Sequence, residues 1–388
     1  MNILFVTGLF AKDEQDTALS GMPYAVYKSA VGMQKRGHSV RILTVAKKDA
    51  RWRYRGLKVI SIRAKHGLEE KNILRSMFLI LQREYKIEKE IQLLHKEKPI
   101  DIIQYTGWFG IGLLHFLDIP AVMRISSYTK VQLTDNFDKR KRHLLEMVEY
   151  LAAKRMNCVF APSRIMASGA AKDIKKKVYV METPFLQEEV EWDDYILQTQ
   201  LKNKRYILFF GRMSVDKGIL VIRDVMYKIL QKHPDIYFVF AGISWKHDGV
   251  AIEEELIQAS REYKDRVIFL GLLSKNTLMP VISNAELVLM PSLADNFPNA
   301  CAEAMALGKI VIGTDGSSLE QFIIDGESGY LTEIGNADSL FNCLGHVLDI
   351  NIIQKKAISQ NAMERIRKLD VEHYSAKMEK LYNNVITE

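Results

Sequence analysis

Short apolar runs alternate with helical patterns over residues 1–185. The runs NILFVT, HSVRILT, LKVISI, IDIIQY, IPAVMRI, NCVFAPS and KVYVM read as strands. Most are separated by stretches whose apolar positions recur every three or four residues, such as 25–35 and 74–96. After residue 204 the scheme restarts with RYILFFG, IYFVFAG, RVIFLG, ELVLMPS and KIVIGT, each followed by a helix or turn. Near-continuous Val, Ile, Leu and Phe strands alternating with helices predict parallel sheets covered on both faces. Two such series predict an α/β protein of two Rossmann-like, doubly wound domains. The expected boundaries are 1–186 for the first domain, 187–204 for a polar, acidic linker and 205–369 for the second domain. A closing helix over 370–388 is expected to pack back on the first domain. There is no low-complexity tract and no short-period repeat.

Composition narrows the class. A chain of 388 residues, 48% hydrophobic and 26% charged, fits a soluble two-domain protein. No apolar run reaches the ~18 residues of a membrane span. The opening MNILFVT has no basic segment before it and no small-residue cleavage site after it, so it is expected to be a strand and not a signal peptide. Cys158, Cys301 and Cys343 are too scattered for a disulfide framework or a Cys-x-x-Cys metal site, which points to a reducing, cytoplasmic setting. The net charge of +7 is unevenly spread. Residues 1–185 carry 33 Lys and Arg against 18 Asp and Glu, and the remainder carries 21 against 29. The basic half is therefore expected to meet something anionic.

Ligands of open α/β sheets bind outside the carboxyl ends of the strands. Four such ends carry chemistry. In LFFGRMSVDKG, Gly211 ends a strand, Arg212 follows at once, and Lys217-Gly218 leads into a helix. A guanidinium and an ammonium beside a helix start make an anion site; two solvated cations in a turn is the plainer alternative. In VLMPSLADNFPNACAE, a strand ends at Pro-Ser, Asp295 lies in the loop, and Pro298 opens a helix of small residues containing Glu303. Each carboxylate can accept two hydrogen bonds from a vicinal diol. The plainer alternative makes Asp295 an N-cap and Glu303 a solvated helix residue. GTDGSSLEQFIIDGESGYL is turn chemistry after a further strand. The long first loop, TGLFAKDEQDTALSGMPYAV, ends at Gly21, which allows a phosphate near the backbone. It lacks G-x-G-x-x-G, so the dinucleotide fingerprint is missing.

Taken together, GRMSVDKG, PSLADNFPNACAEAMALGKIVIGT and EQFIIDGESGYL resemble the retaining glycosyltransferases of family 4, of the bacterial surface-polysaccharide type. That family has the two-Rossmann-domain GT-B architecture with the site in the cleft. The resemblance covers the second half well and the first half in outline. It implies that Arg212 and Lys217 grip a donor diphosphate. It implies that Glu303 binds the nucleotide ribose and Asp295 touches the donor sugar. The backbone of Asn296, Phe297, Pro298 and Asn299 would meet sugar and phosphates, with Gly21 facing the diphosphate and Gly211 beside it. Base selectivity is expected around Gly242-Ile243-Ser244 and Leu272-Leu273. The chain departs from the family in having Asp instead of Glu at 295. It has Ser126 where many members carry a His, and no Asn in VMETPF before the linker.

The implied reaction moves a sugar from a nucleoside-diphosphate sugar to an acceptor hydroxyl with retention, in surface polysaccharide or glycolipid assembly. No Asp-x-Asp triplet occurs, so no metal or other cofactor is expected, and cations with helix dipoles would neutralise the leaving diphosphate. Acceptor candidates at strand ends of the first domain are Tyr105, Trp108 and Ser126, with core or rim packing as the alternative for the two aromatics. His115 reads as structural. RWRYRGLK, KRKR and KDIKKK, with an amphipathic face of Met77, Phe78, Leu81, Tyr85 and Glu88, fit docking on an anionic inner membrane. A solvated basic face over a core-packed helix is the alternative. A sugar-nucleotide epimerase or a phosphorylase of GT-B type would use the same groups. A nucleic-acid binder would use the basic half, yet no helix-turn-helix, RRM or zinc pattern is evident, and none is expected as partner.

Overall fold

The computed structural model describes residues 1–14, 16, 21–131, 138–187 and 190–387. They form two compact units, residues 1–186 with 369–388, and residues 187–368. Parts of the expected first loop and linker, Ser20 among them, lie outside the described residues.

The first unit runs β1 (Asn2–Thr7), α1 (Gly21–Lys35), β2 (Ser39–Ala46), β3 (Ala50–Tyr54), β4 (Leu57–Arg63), α2 (Ile73–Glu97), β5 (Ile102–Thr106), β6 (Ala121–Arg124), α3 (Lys139–Arg155), β7 (Cys158–Ala161), α4 (Arg164–Ile174) and β8 (Val178–Val180). The sheet order is β3-β4-β2-β1-β5-β6-β7-β8. All neighbours pair parallel except β3 with β4. The chain therefore winds outward from β1 in one direction and from β5 in the other. The reversal falls between these two strands, and that is where an open sheet leaves its ligand crevice. Burial on both faces of β1, β2 and β5 explains their unbroken apolar runs.

The second unit runs α5 (Tyr195–Thr199), β9 (Arg205–Phe210), α6 (Ile219–Lys232), β10 (Ile236–Ala241), β11 (Lys246–His247), β12 (Val250–Ala251), α7 (Ile252–Ser260), β13 (Val267–Gly271), α8 (Lys275–Asn284), β14 (Leu287–Leu289), α9 (Asn299–Ala306), β15 (Val311–Thr314), β16 (Tyr330–Thr332), α10 (Ala337–Asp349) and α11 (Ile352–Arg367). Its main sheet, β13-β10-β9-β14-β15-β16, is parallel throughout and repeats the same winding. Here the reversal lies between β9 and β14. Ile219, Ile222, Val225, Met226 and Ile229 form the buried face of α6 against the sheet. Each such side chain contributes roughly 1.5–3 kcal/mol on burial.

The last helix, α12 (Val371–Thr387), belongs to the first unit. Tyr382 Oη donates to Gln104 Oε1 at 2.5 Å, and Ser29 Oγ donates to Tyr374 Oη at 3.1 Å. Gly32 lets α12 approach α1 closely, since a Cβ there would stand 2.1 Å from Ser375 Oγ.

The amphipathic face expected on α2 is present except for Glu88. Met77, Phe78, Leu81 and Tyr85 face solvent, while the helix buries Ile80, Ile87, Ile91 and Leu94 against the sheet. Glu88 is not part of that outer stripe. It turns inward, where Oε1 accepts from the Phe116 amide at 2.9 Å.

Candidate functional site

On one side of the reversal of the second sheet, three strand ends meet through their glycines. Gly211 follows β9, Gly242 follows β10 and Gly271 ends β13. The Gly211 amide donates to Ala241 O at 2.8 Å and the Gly242 amide to Gly271 O at 2.7 Å. Gly242 has φ +150°, and a Cβ there would lie 1.8 Å from Gly211 O. The backbone is thus packed against itself at a point where only glycine fits. Over Gly211, by contrast, a Cβ would meet nothing within 4 Å. Leu272 is 75% exposed just beyond Gly271.

Arg212 leaves this floor and is held on three sides. Its Nε donates to Ser214 Oγ at 3.1 Å and its Nη2 to Asp216 Oδ2 at 2.7 Å, and the guanidinium lies 4.4 Å from the centre of the Trp245 ring. Burial works against the Asp216 carboxylate, but the Ser214 hydroxyl and the Arg212 charge outweigh it and hold its pKa below the usual value. The chain then makes a 3-10 turn over Val215–Lys217 before Gly218 starts α6 with φ +71°. A Cβ on Gly218 would stand 1.7 Å from Pro291 O. The first motif is therefore pressed onto the end of the VLMPS strand. Leu293 N donates to Asp216 O at 2.9 Å across the same seam.

This packing delivers Lys217 to the second motif. Its Nζ lies 2.5 Å from Asp295 Oδ2, and Asp295 Oδ1 accepts from the Asn296 amide at 2.9 Å. Asp295 is thus an ion-pair partner and not the helix cap. The cap position of α9 is Pro298, which offers no side-chain bond. Phe297 carries φ +151°, a strained backbone for a non-glycine residue, and its ring packs 4.2 Å from that of buried Phe322. Phe322 belongs to the EQF segment, so the third motif acts as a wall for the second. Thr314 Oγ1 donating to Ser292 O at 2.7 Å ties the same two segments. Glu303 sits half-buried in α9.

Arg212, Lys217, Asp295 and Glu303 therefore come from motifs at the two strands that flank the reversal. Sequence reasoning missed Trp245, Ser214 and Asp216 as supports of Arg212. The last two stood in the quoted motif, and Trp245 stands in a polar stretch after β10 with no spacing to flag it.

In the first unit the strand ends are of mixed character. Tyr105 is 1% exposed, with its hydroxyl 3.0 Å from His115 Nδ1, and burial drives its pKa well above the usual value. It is a core residue, which removes it as an acceptor contact. His115 is structural as expected, its Nε2 lying 3.0 Å from Ile119 O. Trp108 sits at the reversal, its ring over Gly8, where a Cβ would be 2.2 Å from it. Ser126 is half-buried and bonded to the guanidinium of Arg124, which also donates to Thr183 Oγ1 at 2.6 Å. Gly21 begins α1 with φ +56°, and a Cβ there would touch nothing.

The loop after β5, which carries Trp108, rests on buried charges. Arg83 Nη2 donates to Phe109 O at 2.7 Å, and Glu84 Oε2 accepts from the Gly112 and Leu113 amides at 2.8 and 3.1 Å. Arg83 Nε donates to Glu84 Oε1 at 2.9 Å. Glu149 Oε2 accepts from Thr129 N at 2.8 Å. Burial pushes Glu149 up to about 7 against the opposing pull of the Thr129 and Phe109 amides and the Thr129 hydroxyl. Among the described residues, no group of three or more His, Cys, Asp and Glu could hold a metal ion.

Residues 195–365, all in the second unit, match the family described as glycosyl transferases group 1. The chain is similar to an uncharacterized glycosyltransferase of Methanocaldococcus jannaschii, 24% identical over 375 residues, covering 90% of this chain and 93% of that protein. Among solved structures, sucrose-phosphate synthase from Thermosynechococcus elongatus matches with a TM-score of 0.77 at 20% identity, covering 100% of both chains. Anabaena HepE in complex with UDP and glucose matches with a TM-score of 0.73 at 17% identity, covering 99% of this chain and 100% of that one. The chain has the GT-B fold of two Rossmann-like parallel-sheet domains.

Proposed function

We propose that the protein is a metal-independent, retaining glycosyltransferase of family 4 type, moving a sugar from a nucleoside-diphosphate sugar to an acceptor hydroxyl. The observation that carries this reading is the convergence of Arg212 and Lys217 with Asp295 at the reversal of the second sheet. Two cations there suit a diphosphate, and carboxylates suit the hydroxyls at its two ends. The match to glycosyl transferases group 1 over the same unit supports the reading. So does the fold shared with a protein crystallised with UDP and glucose.

The roles are those that the family resemblance implies. Arg212 and Lys217 stabilise charge on the departing diphosphate, with the amides at the start of α9 as further donors. Glu303 takes the ribose hydroxyls and Asp295 a hydroxyl of the sugar. Gly211 and Gly242 form the floor under the donor, Asn296 to Asn299 border its sugar and phosphates, and Leu272 borders the base. Gly21, Trp108 and Ser126 stand on the acceptor side. The acceptor is a glycan or lipid-linked glycan of surface polysaccharide or glycolipid assembly, met at the inner face of the membrane. No described helix is long and apolar enough to cross a membrane.

The test is a panel of nucleoside-diphosphate sugars with simple acceptors, in the presence of a chelator, with NMR of the product's anomeric centre. Transfer with the donor's anomeric configuration kept supports the reading. Inversion, or turnover needing a divalent metal, contradicts it. Interconversion of the donor with no acceptor would favour an epimerase, and dependence on free phosphate a phosphorylase.

A further inference from the structure

Among the described residues three arginines are buried, Arg41, Arg83 and Arg124, and two of them have an evident counter-charge. Arg83 is paired with Glu84 at 2.9 Å. Arg41 donates to Leu94 O and Lys98 O at 2.9 Å each, at the negative end of the α2 dipole. Arg124, at the carboxyl end of β6 and 3% exposed, has neither. Its partners are two neutral hydroxyls: Nη1 donates to Ser126 Oγ, and Nη2 to Thr183 Oγ1 at 2.6 Å. Its Nε is buried with no partner. The ionisable group that acts on it is the Tyr374 phenol, which burial keeps protonated.

Burial pulls the pKa of Arg124 down, yet a guanidinium does not give up its proton in a protein. A buried charge without a counter-charge is among the costliest features a fold can carry, and such violations gather at functional sites. The place is a strand end, where open sheets take their ligands. Ser126 and Ser127 beside it are partly open to solvent, so the guanidinium lies one short side chain from the surface.

We propose that Arg124 is the base of an anion site, and that the acceptor taken up on this side carries a carboxylate or phosphate group. The anion would bind over Ser126, sharing or displacing its hydroxyl on Nη1, and would supply the counter-charge that the fold omits. A uronic acid or a phosphorylated sugar fits such a site, whereas a neutral glycan leaves the charge bare. Assigning the anion to an acceptor rests on the transferase reading. The anion site itself does not.

The experiment is thermal melting of the full chain with inorganic phosphate or glucuronate, against chloride at equal ionic strength and without nucleotide. Arg212→Ala is run beside the wild type, so that the proposed donor site cannot account for a response. At least one of the two anions is expected to raise the melting temperature of both proteins by roughly 2–4 °C. A response to glucuronate alone assigns a uronic acid, and a response to phosphate alone a phosphorylated sugar. Ser126→Asp places a carboxylate beside Nη1. It should melt higher than Ser126→Asn, of the same size and uncharged, and respond to neither anion. Arg124→Met should lose the response as well, and Ser126→Asp decides the matter if that variant does not fold. No response in the wild type, an equal response in Ser126→Asp, or Ser126→Asp melting no higher than Ser126→Asn overturns the proposal. A response lost in Arg212→Ala would assign the anion to the donor site and overturn it too, leaving the transferase reading in place. Absence of nucleotide binding with the anion response intact would count against the transferase reading alone.

Discussion

The ammonium of Lys217 lies 2.5 Å from Oδ2 of Asp295, 78 residues further along the chain. Arg212 is likewise paired, with Asp216 at 2.7 Å. Both cations proposed to grip a diphosphate are therefore neutralised before any donor arrives. On the proposed reading, donor phosphate takes over from carboxylate at Lys217, which frees Asp295 for a sugar hydroxyl. The shorter arm of Asp, compared with the Glu of the family motif, fits this pairing.

Asp295→Asn separates the two roles. It removes the counter-charge on Lys217 and keeps an acceptor for the Asn296 amide. Affinity for the nucleoside diphosphate alone is expected to hold or rise, measured by calorimetry. The turnover of the sugar donor is expected to fall by about 10²-fold, the scale of a lost transition-state contact.

Trp245 is a positioning residue for Arg212. A cation–π contact at an exposed site is worth ~0.5–1 kcal/mol, so Trp245→Ala should raise the donor KM by about 2–5-fold with little change in kcat. Arg212→Lys loses the planar fork as well as the stacking, and should raise KM by about tenfold. Initial-rate kinetics on the two variants separate these effects.

Two glycines of the first motif should respond differently. Gly218→Ala drives a Cβ to 1.7 Å from Pro291 O and is expected to destabilise the second unit by about 3 kcal/mol. Gly211→Ala meets open space, so only its positive φ resists, at about 1–2 kcal/mol. Its methyl would project into the space proposed for the donor. Thermal melts should show the larger loss for Gly218→Ala, and nucleotide titrations should show weakened binding in the still-folded Gly211→Ala.

Glu149 gives the first unit a pH dependence. Its carboxyl ionises near 4.5 in the unfolded chain and, through burial, at about 7 in the folded one. Between these values the unfolded state has released a proton that the folded state keeps, so stability falls as pH rises. The contribution is intact below about pH 4.5 and lost through about pH 7, amounting to ~3 kcal/mol. Relative to Glu149→Gln, the wild type should lose about that much between pH 4.5 and 7.5 in denaturant titrations. A constant difference between the two would contradict the buried, proton-holding environment.

The buried parallel strands were legible because burial on both faces writes continuous apolar runs. β3 was not, because it is an edge strand, Ala50–Tyr54, that alternates Trp52 and Tyr54 with exposed Arg51 and Arg53 and reads as a basic stretch. β16 spans only Tyr330–Thr332 behind a glycine turn, too short to show a period. The motif residues could be found because glycines, prolines and charges cluster where strands end. Their partners could not. Trp245 over Arg212 and Phe322 under Phe297 depend on loop paths that no local period encodes. For α2 the period identified the helix but not which apolar face turned inward. Arg83 and Glu84 on the inner side are charged, so nothing local marks them as buried to hold the loop after β5.

The most direct test of the donor site is thermal stabilisation by UDP, GDP and ADP, with chelator present, on the wild type and on Arg212→Ala. One nucleoside diphosphate should raise the melting temperature of the wild type and leave the variant unmoved, which would also name the base. An equal shift in both proteins, or none from any nucleotide, would contradict a diphosphate site built on Arg212.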